Sequence, residues 1–128
     1  MSLDYAAAGE LIERYGRAWQ DFDGDAWVDL FTDDIEYAAD PFEAPLVGHN
    51  AVRAYLNESA ERQDQVAFTA ERHWVVDPTV LIAWHAGYVQ RSDRAQVRLS
   101  GFMTWDVRDG KIARLREWYH RRATPAAG

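Results

Sequence analysis

The residues of this sequence best suited to acid–base chemistry are an aspartate at a predicted strand end and a tyrosine in a predicted helix. Asp40 follows an apolar run and precedes Pro41 and Phe42. A carboxylate placed there can act as a general base if it faces a pocket. Asp-Pro also commonly ends a strand and begins a turn, with the side chain in water. The local sequence leaves both interpretations of Asp40 open.

Strand alternation bears directly on the orientation of Asp40. In an ideal strand Ile35 and Tyr37 share one face, and Asp40 lies on the other. If Ile35 and Tyr37 point toward the core, Asp40 points outward unless a β-bulge absorbs one residue. A pocket-facing Asp40 therefore requires a bulge between Asp34 and Asp40.

Tyr15 lies in the middle of the apolar face of the first predicted helix, between Leu11 and Ala18. This position predicts a buried side chain. A buried hydroxyl needs a hydrogen-bond partner, which can be a ligand oxygen or a backbone carbonyl.

Other kinds of catalytic site are poorly supported. The chain has no cysteine, and its four histidines lack the spacing of a metal site. No serine lies on a nucleophile elbow, and no glycine loop suits phosphate, so we expect neither metal nor cofactor. Arg114 and Arg116 are expected to pair with Glu117 or neighbouring acids as solvated charges. His85 is expected on the outer face of its strand, whereas Trp74 is expected in the core.

Apolar periodicity and turn residues predict three helices, an early strand and four later strands. The helices are expected over 4–22, around Trp27, and from His49 or Asn50 onward. The strands are expected over 35–39, 66–76, 80–90, 96–107 and 111–119. This order predicts an α+β fold in which three N-terminal helices pack in a strongly curved, mostly antiparallel sheet, giving a cone-shaped α+β barrel. We expect one domain over residues 1–122 and a flexible tail over 123–128.

Composition limits the classes of partner. Net charge is −7 and no basic stripe is present, so nucleic acid is not expected as a partner. No apolar run approaches the roughly 20 residues of a membrane span, and the N-terminus does not resemble a signal peptide. We therefore expect a cytoplasmic protein. Almost all of its cations are arginine, which suggests a bacterial source.

Several motifs, spread over nearly the whole chain, resemble one family. They are "RY" at 14–15, "DFDGDAW" at 21–27, "FTDD" at 31–34, "DPF" at 40–42 and "DGKIARLREWY" at 109–119. Together they resemble the nuclear-transport-factor-2-like superfamily and, more narrowly, its SnoaL-like and ketosteroid-isomerase-like members. That fold hosts several activities, so the resemblance is more specific for fold than for function.

The resemblance implies roles for individual residues. In the isomerase pattern Asp40 is the general base and Tyr15 is the hydrogen-bond donor to the substrate oxygen. Gly101 lies where that pattern has a second, protonated acid. Leu56 lies where some isomerases have a tyrosine that supports the first one.

The many aromatic residues (six Trp, six Tyr and five Phe) would line a pocket for a small apolar or polycyclic ligand. The expected ligand-binding residues are Trp19, Phe31, Phe42, Tyr55, Trp84, Tyr88, Leu99, Gly101, Met103, Trp105 and Tyr119. The resemblance further implies a homodimer formed through the outer sheet face, with His85 in the interface.

Three functions stay open. The first is an isomerase- or cyclase-type enzyme that moves a proton next to a carbonyl without a cofactor. The second is a non-catalytic ligand-binding or dimerisation domain. The third is a dehydratase or epoxide hydrolase, although Arg98, the arginine that the hydrolase would need, is expected on the outer face.

Overall fold

The computed structural model describes residues 3–127 of the chain. Three helices precede a long meander of strands, and two further strands lie between the second and third helices. The elements are α1 (Tyr5–Asp21), α2 (Gly24–Asp29), β1 (Phe31–Ala38), β2 (Leu46–Val47), α3 (His49–Arg62), β3 (Gln63–Val76), β4 (Thr79–Gln90), β5 (Gln96–Arg108) and β6 (Lys111–Thr124). None of these helices is long and apolar enough to span a bilayer.

Helix α1 begins and ends at the residues that its sequence predicts. The Asp4 carboxylate accepts a hydrogen bond from the Ala7 N–H at 2.7 Å, which caps the first turn. Phe22 ends the helix in the left-handed conformation, with φ of 48°. The apolar face, including Leu11 and Tyr15, is buried against the sheet.

The other two helices are joined by a buried tryptophan. Asp23 caps α2 by accepting from the Ala26 N–H at 3.1 Å. The Trp27 indole N–H then donates to the Val52 carbonyl of α3 at 3.0 Å. Because Trp27 is 1% exposed, this bond fixes α3 against α2 inside the core.

The sheet has the strand order β2-β1-β6-β5-β4-β3. Strands β3 to β6 form an antiparallel meander, whereas β1 pairs with β6 in parallel. The helices pack in its concave face. The α+β cone is confirmed, with one correction: β2 and β3 are edges that do not pair with each other, so the barrel is open.

The last strand is longer than predicted. It continues to Thr124, and Ala123 and Thr124 pair with Val97 and Gln96 of β5. The first two residues of the predicted tail are therefore strand, because β5 is long enough to supply partners beyond Tyr119. Met1, Ser2 and Gly128, which fall in the predicted domain and tail, lie outside the described residues.

A bulge in β3 reverses the predicted orientation of Trp74. Ala70 pairs with Trp84 but Arg72 pairs with Ala83, so one extra residue lies in β3 between them. An extra residue moves every later side chain to the opposite face. Trp74 is consequently 38% exposed on the outer face, and its expected place in the core is wrong.

Gly101 permits a close approach that no other residue type allows. A Cβ atom at this position would lie 2.7 Å from both the Trp118 carbonyl oxygen and the Trp84 ring. We expect Gly101→Ala to lower the free energy of unfolding by roughly 1–3 kcal/mol, because backbone or a packed indole must move. Urea unfolding followed by tryptophan fluorescence measures the change.

Gly87→Ala is the matched control in the neighbouring strand. The nearest atom to a Cβ there is the Val97 carbonyl oxygen at 3.5 Å, an ordinary contact. The free energy of unfolding of Gly87→Ala should stay within about 1 kcal/mol of the wild-type value. Equal effects of the two substitutions would contradict the packing argument.

Candidate active site

A cavity of about 280 Å³ lies between helices α1 and α3 and the concave face of the sheet. Half of the residues in its wall are aromatic, and the remaining side chains are largely polar. The aromatic members are Tyr15, Trp19, Trp27, Tyr37, Tyr55, Trp84, Tyr88 and Tyr119, and the others are Leu56, Ser59, Arg62, Gln63, Gln90, Leu99, Glu117 and Arg121.

Among the described residues, Glu117 is the one carboxylic acid in the cavity wall, and only 6% of it is exposed. Strand β6 places it there by simple alternation, since Leu115 is buried on the same face while Arg114 and Arg116 are exposed. The expectation that Glu117 pairs with these arginines as a solvated charge is therefore wrong. No salt bridge to Glu117 occurs in the described part of the chain.

The environment of Glu117 favours its neutral form. Burial raises the pKa of its carboxyl from 4.5 to about 8, and a hydrogen bond from the Tyr37 hydroxyl partly opposes this rise. Desolvation penalises the charged carboxylate, and no cation offsets that penalty. The result is an acid that exchanges its proton near neutral pH.

Tyrosine hydroxyls surround this acid. The Tyr15 and Tyr37 oxygens lie 3.4 Å apart, and either hydroxyl can donate. Burial and the charge of Glu117 raise the pKa of both tyrosines well above the usual value, and the same two causes raise the pKa of Tyr55. All three hydroxyls therefore stay protonated and can donate hydrogen bonds.

The isomerase resemblance expects a second hydroxyl at Leu56 and an acid at Gly101. In this cavity Tyr37 provides the hydroxyl and Glu117 provides the acid. Leu56 lines the cavity without a hydroxyl, but Tyr37 on β1 contacts Tyr15 instead. Gly101 has no acid, but its β6 partner in the sheet is Tyr119, two residues from Glu117. The cavity thus contains one tyrosine cluster and one protonated acid, supplied by different helices and strands.

Asp40 does not face this cavity. It is exposed, and its carboxylate accepts a hydrogen bond from the Phe42 N–H at 2.9 Å, as an aspartate does in a turn. Strand β1 ends at Ala38, before Asp40, and its irregular pairing lies between Phe31 and Glu36, too early to redirect Asp40. The expectation of an Asp40 that faces the aromatic cavity is corrected accordingly, although Asp40 and Glu117 both line two further pockets outside that cavity.

The other predicted site residues divide into three groups. Tyr15, Trp19, Tyr55, Trp84, Tyr88, Leu99 and Tyr119 line the cavity. Phe31, Met103 and Trp105 are fully buried core residues outside its wall, and Gly101 packs beneath the Trp84 ring. Phe42 is 94% exposed, because it follows Asp40 in the surface turn.

Sequence reasoning missed the six polar side chains of the wall that are not aromatic, including Glu117, Arg62 and Arg121. One signal could have found Glu117 and Arg121, since both share strand parity with Leu115 and Tyr119. Arg62 lies in the last turn of α3, three residues after the buried Ser59.

The cavity wall also contains an unused donor. The buried indole N–H of Trp84 has no hydrogen-bond partner among the described residues. Leaving such a donor unpaired costs free energy that an acceptor on a bound molecule would recover. Among residues 3–127 no three acidic or histidine side chains are grouped to hold a metal ion.

Solved structures with this fold have different activities. The Delta 5-3-ketosteroid isomerase from Mycobacterium sp. is 18% identical, with 92% of this chain and 98% of that chain covered and a TM-score of 0.78. The LEH-like epoxide hydrolase from M. tuberculosis is 19% identical, with 90% and 84% covered and a TM-score of 0.76. A computationally designed 17-OHP binder is 18% identical, with 91% and 98% covered and a TM-score of 0.79. At these identities the likeness shows the fold alone.

The sequence itself matches the model of one family, the SnoaL-like domain, over residues 12–115. No curated protein sequence matches the chain. The matched range runs from α1 into β6 and includes every element of the cone. The resemblance inferred from the motifs is confirmed, and the chain belongs to the SnoaL-like domain family.

Proposed function

We propose that this protein catalyses cofactor-free proton transfer next to a carbonyl group on a small, mostly apolar cyclic substrate. Glu117 is the acid–base residue, in place of Asp40. The observation that supports this most strongly is a solitary carboxyl inside an aromatic cavity with a pKa of about 8. Proton transfer is most efficient when the pKa of the catalytic group lies near the working pH.

The proposed proton transfer uses only the substrate and groups in the cavity wall. The Glu117 carboxylate takes a proton from the carbon next to the carbonyl, and the C–H electron pair forms the C=C bond of an enolate. The carbonyl oxygen gains the negative charge, which the Tyr15 or Tyr55 hydroxyl stabilises by donating a hydrogen bond. Glu117, now protonated, returns the proton to the same or another carbon. No metal or redox partner is required.

The burial of Glu117 is costly, which favours a functional reason for it. Between pH 4.5 and about 8 the unfolded chain ionises at this position while the folded chain holds its proton. The free energy of unfolding therefore falls as the pH rises through this range, and it levels off at higher pH. The total fall is up to about 5 kcal/mol, at roughly 1.4 kcal/mol for each unit by which the pKa is raised. A structural role would be served better by an apolar residue, and strongly perturbed acids cluster at functional sites.

A ligand-binding domain without catalysis is the second candidate. It is supported by the single acid in the cavity, where the isomerase pattern has two, and by the free Trp84 donor, which a bound acceptor would satisfy. The dehydratase and hydrolase alternatives find less support. Arg98 is exposed, and within residues 3–127 the cavity wall has no second acid to pair with an arginine.

We also propose that the chain forms a homodimer through its outer aromatic patch, defined as Trp74, Phe102 and Trp118. The Trp74 and Phe102 rings lie 6.3 Å apart, and Phe102 pairs directly with Trp118 across the strands. All three are 36–42% exposed, and contiguous exposed aromatics are typical of protein interfaces. His85 is also exposed on this face, held by Glu71 at 3.1 Å.

Solvent-deuterium exchange into β-tetralone tests the proposed catalysis. The wild type should accelerate exchange at the carbon next to the ketone, measured by NMR above the buffer rate. Glu117→Gln should slow this by about 10²–10⁴-fold, since it removes the base. The rate constant kcat/KM should rise with pH and level off above about 8, where Glu117 is ionised.

Asp40→Asn is the matched control for that experiment, because its side chain lies in the exposed turn. Its exchange rate should equal that of wild type. If Asp40→Asn slows the exchange and Glu117→Gln leaves it at the wild-type rate, the assignment of the base is wrong. If neither protein nor variant exceeds the buffer rate with any enolisable cyclic ketone that binds, the binding domain is the better account.

The pH dependence of stability tests the environment of Glu117 without any substrate. Glu117→Gln keeps the size and neutral charge of the protonated side chain. It should unfold with nearly the wild-type free energy near pH 5 and be more stable by several kcal/mol near pH 9. Chemical unfolding across this range measures the difference. Glu13→Gln, at an exposed glutamate of α1, should show no such trend, and parallel curves for Glu117→Gln and wild type would contradict the raised pKa.

Analytical ultracentrifugation tests the dimer. The wild type should sediment at twice the chain mass, and Phe102→Glu should sediment as a folded monomer because a charge at the centre of the patch would be buried. Val47→Glu, at an exposed apolar residue on the β2 edge, should leave the dimer intact. A monomeric wild type, or a dimeric Phe102→Glu, would remove the outer aromatic patch as the interface.

A further inference from the structure

Two arginines border the opening of the aromatic cavity. Of the residues that line it, those that stay exposed mark where it meets solvent, and they are Arg62, Tyr119 and Arg121. Arg62 lies in the last turn of α3, and Arg121 lies near the end of β6. Two separate elements thus bring cationic side chains to one opening.

These arginines lack carboxylate partners in a chain rich in acids. Across residues 3–127, Arg14, Arg53, Arg91, Arg94 and Arg108 each lie within 4.0 Å of an aspartate oxygen. Arg62 and Arg121 have no such contact in the same part of the chain. The other six arginines of the described residues also lack such a contact. What distinguishes Arg62 and Arg121 is that both are uncompensated by a carboxylate and both line the opening of one cavity.

Arg121 is held in place without being neutralised. Its guanidinium donates to the Gln90 side-chain oxygen at 2.6 Å. Gln90 is neutral, so the positive charge and the remaining N–H donors of Arg121 stay available. The nearby Asp93 feels this charge but uses its carboxylate on the Ala95 N–H and the Gln90 amide.

Arg62 has a second possible reason for its position, because a cation in the last turn of a helix complements the helix dipole. Arg121 is on a strand and has no such reason. Arg62, Arg121 and Tyr119 line the same cavity, and both arginine charges lower the pKa of Tyr119 against the larger effect of burial. Their convergence, rather than either residue alone, carries the inference.

We propose that the substrate is a carboxylic acid, or a similarly anionic molecule, whose charged group is held at the opening by Arg62 and Arg121. Guanidinium groups bind carboxylates with charge-assisted hydrogen bonds. The apolar body then lies between Trp19, Trp84 and Tyr88, and the far end meets Glu117. This assignment rests on the proposed function only for what reacts at that far end.

The deep end of the cavity fits this orientation. Glu117 holds its proton at neutral pH and therefore does not repel an anion, and no arginine or lysine lines the cavity beyond the opening. A volume of about 280 Å³ is near the lower limit of ligand pockets, roughly 300–1,000 Å³. One- or two-ring keto acids suit that volume better than large polycyclic molecules.

A matched pair of ligands tests the charge preference. Carboxy-β-tetralone, with the acid on the aromatic ring opposite the ketone, is compared with its carboxamide, which has the same shape and no charge. Quenching of cavity tryptophan fluorescence gives a Kd for each, whether or not turnover occurs. At low ionic strength the wild type should bind the carboxylate about ten-fold more tightly than the carboxamide, and added salt should reduce that ratio.

Arginine variants locate the effect. Arg62→Gln and Arg121→Gln should each lower the ratio, and the double variant should bring it to about one while the Kd of the carboxamide stays unchanged. Arg17→Gln, at an exposed arginine of α1 away from this cavity, should keep the wild-type ratio. Equal wild-type affinities for the two ligands, or a preference that survives in the double variant, would overturn the proposal.

The outcome is independent of the proposed catalysis. A carboxylate preference that depends on the arginines, without deuterium exchange that depends on Glu117, would leave the anion site and remove the proton transfer. Exchange on β-tetralone that depends on Glu117, without any carboxylate preference, would leave the proton transfer and remove the anion site.

Discussion

The arrangement of this molecule depends on one unfavourable interaction, the burial of the Glu117 carboxyl without a cation. The side chain is tolerated because it keeps its proton and because tyrosine hydroxyls surround it. These hydroxyls come from different elements: Tyr15 from α1, Tyr37 from β1 and Tyr55 from α3. They meet only because β1 pairs in parallel with β6, which sets Tyr37 beside Leu115. The fold therefore places a polar group inside an aromatic core, in the wall of the cavity.

Local sequence predicts the elements of this fold better than their assembly. The Asp4 and Asp23 caps and the aspartate–glycine turn at 109–110 act over a few residues, so the helices and the last hairpin follow from them. The parallel pairing of β1 with β6 joins residues some 80 positions apart, and no local pattern encodes it. The predicted orientation of Trp74 is wrong for a related reason. The bulge before it is a property of two paired strands, so alternation counted along one strand gives the wrong face.

The candidate site shows the same limit. Tyr88, Leu99 and Tyr119 could be predicted because alternation persists along strands of regular register. The same alternation places Glu117 inside, but acids are rarely buried unpaired, so general experience favours a solvated glutamate at this position. The predicted orientation of Asp40 toward the cavity is wrong because the "DPF" motif is local, whereas the direction of the Asp40 carboxylate is set by the turn that follows β1. The hydrogen bond from the Phe42 N–H fixes that direction toward the surface.

A buried acid affects a ligand through its location in the cavity, not through its place in the sequence. Gly101 and Glu117 lie on adjacent strands, and inward-facing positions on β5 and β6 project into the same space. An acid can therefore occupy either strand and face the same part of a bound molecule, provided that its neighbours supply donors and exclude water. Tyr37 similarly provides a hydroxyl where α3 has Leu56. Within a shared fold, the chemistry of the cavity is better read from which groups face inward than from which motif position carries them.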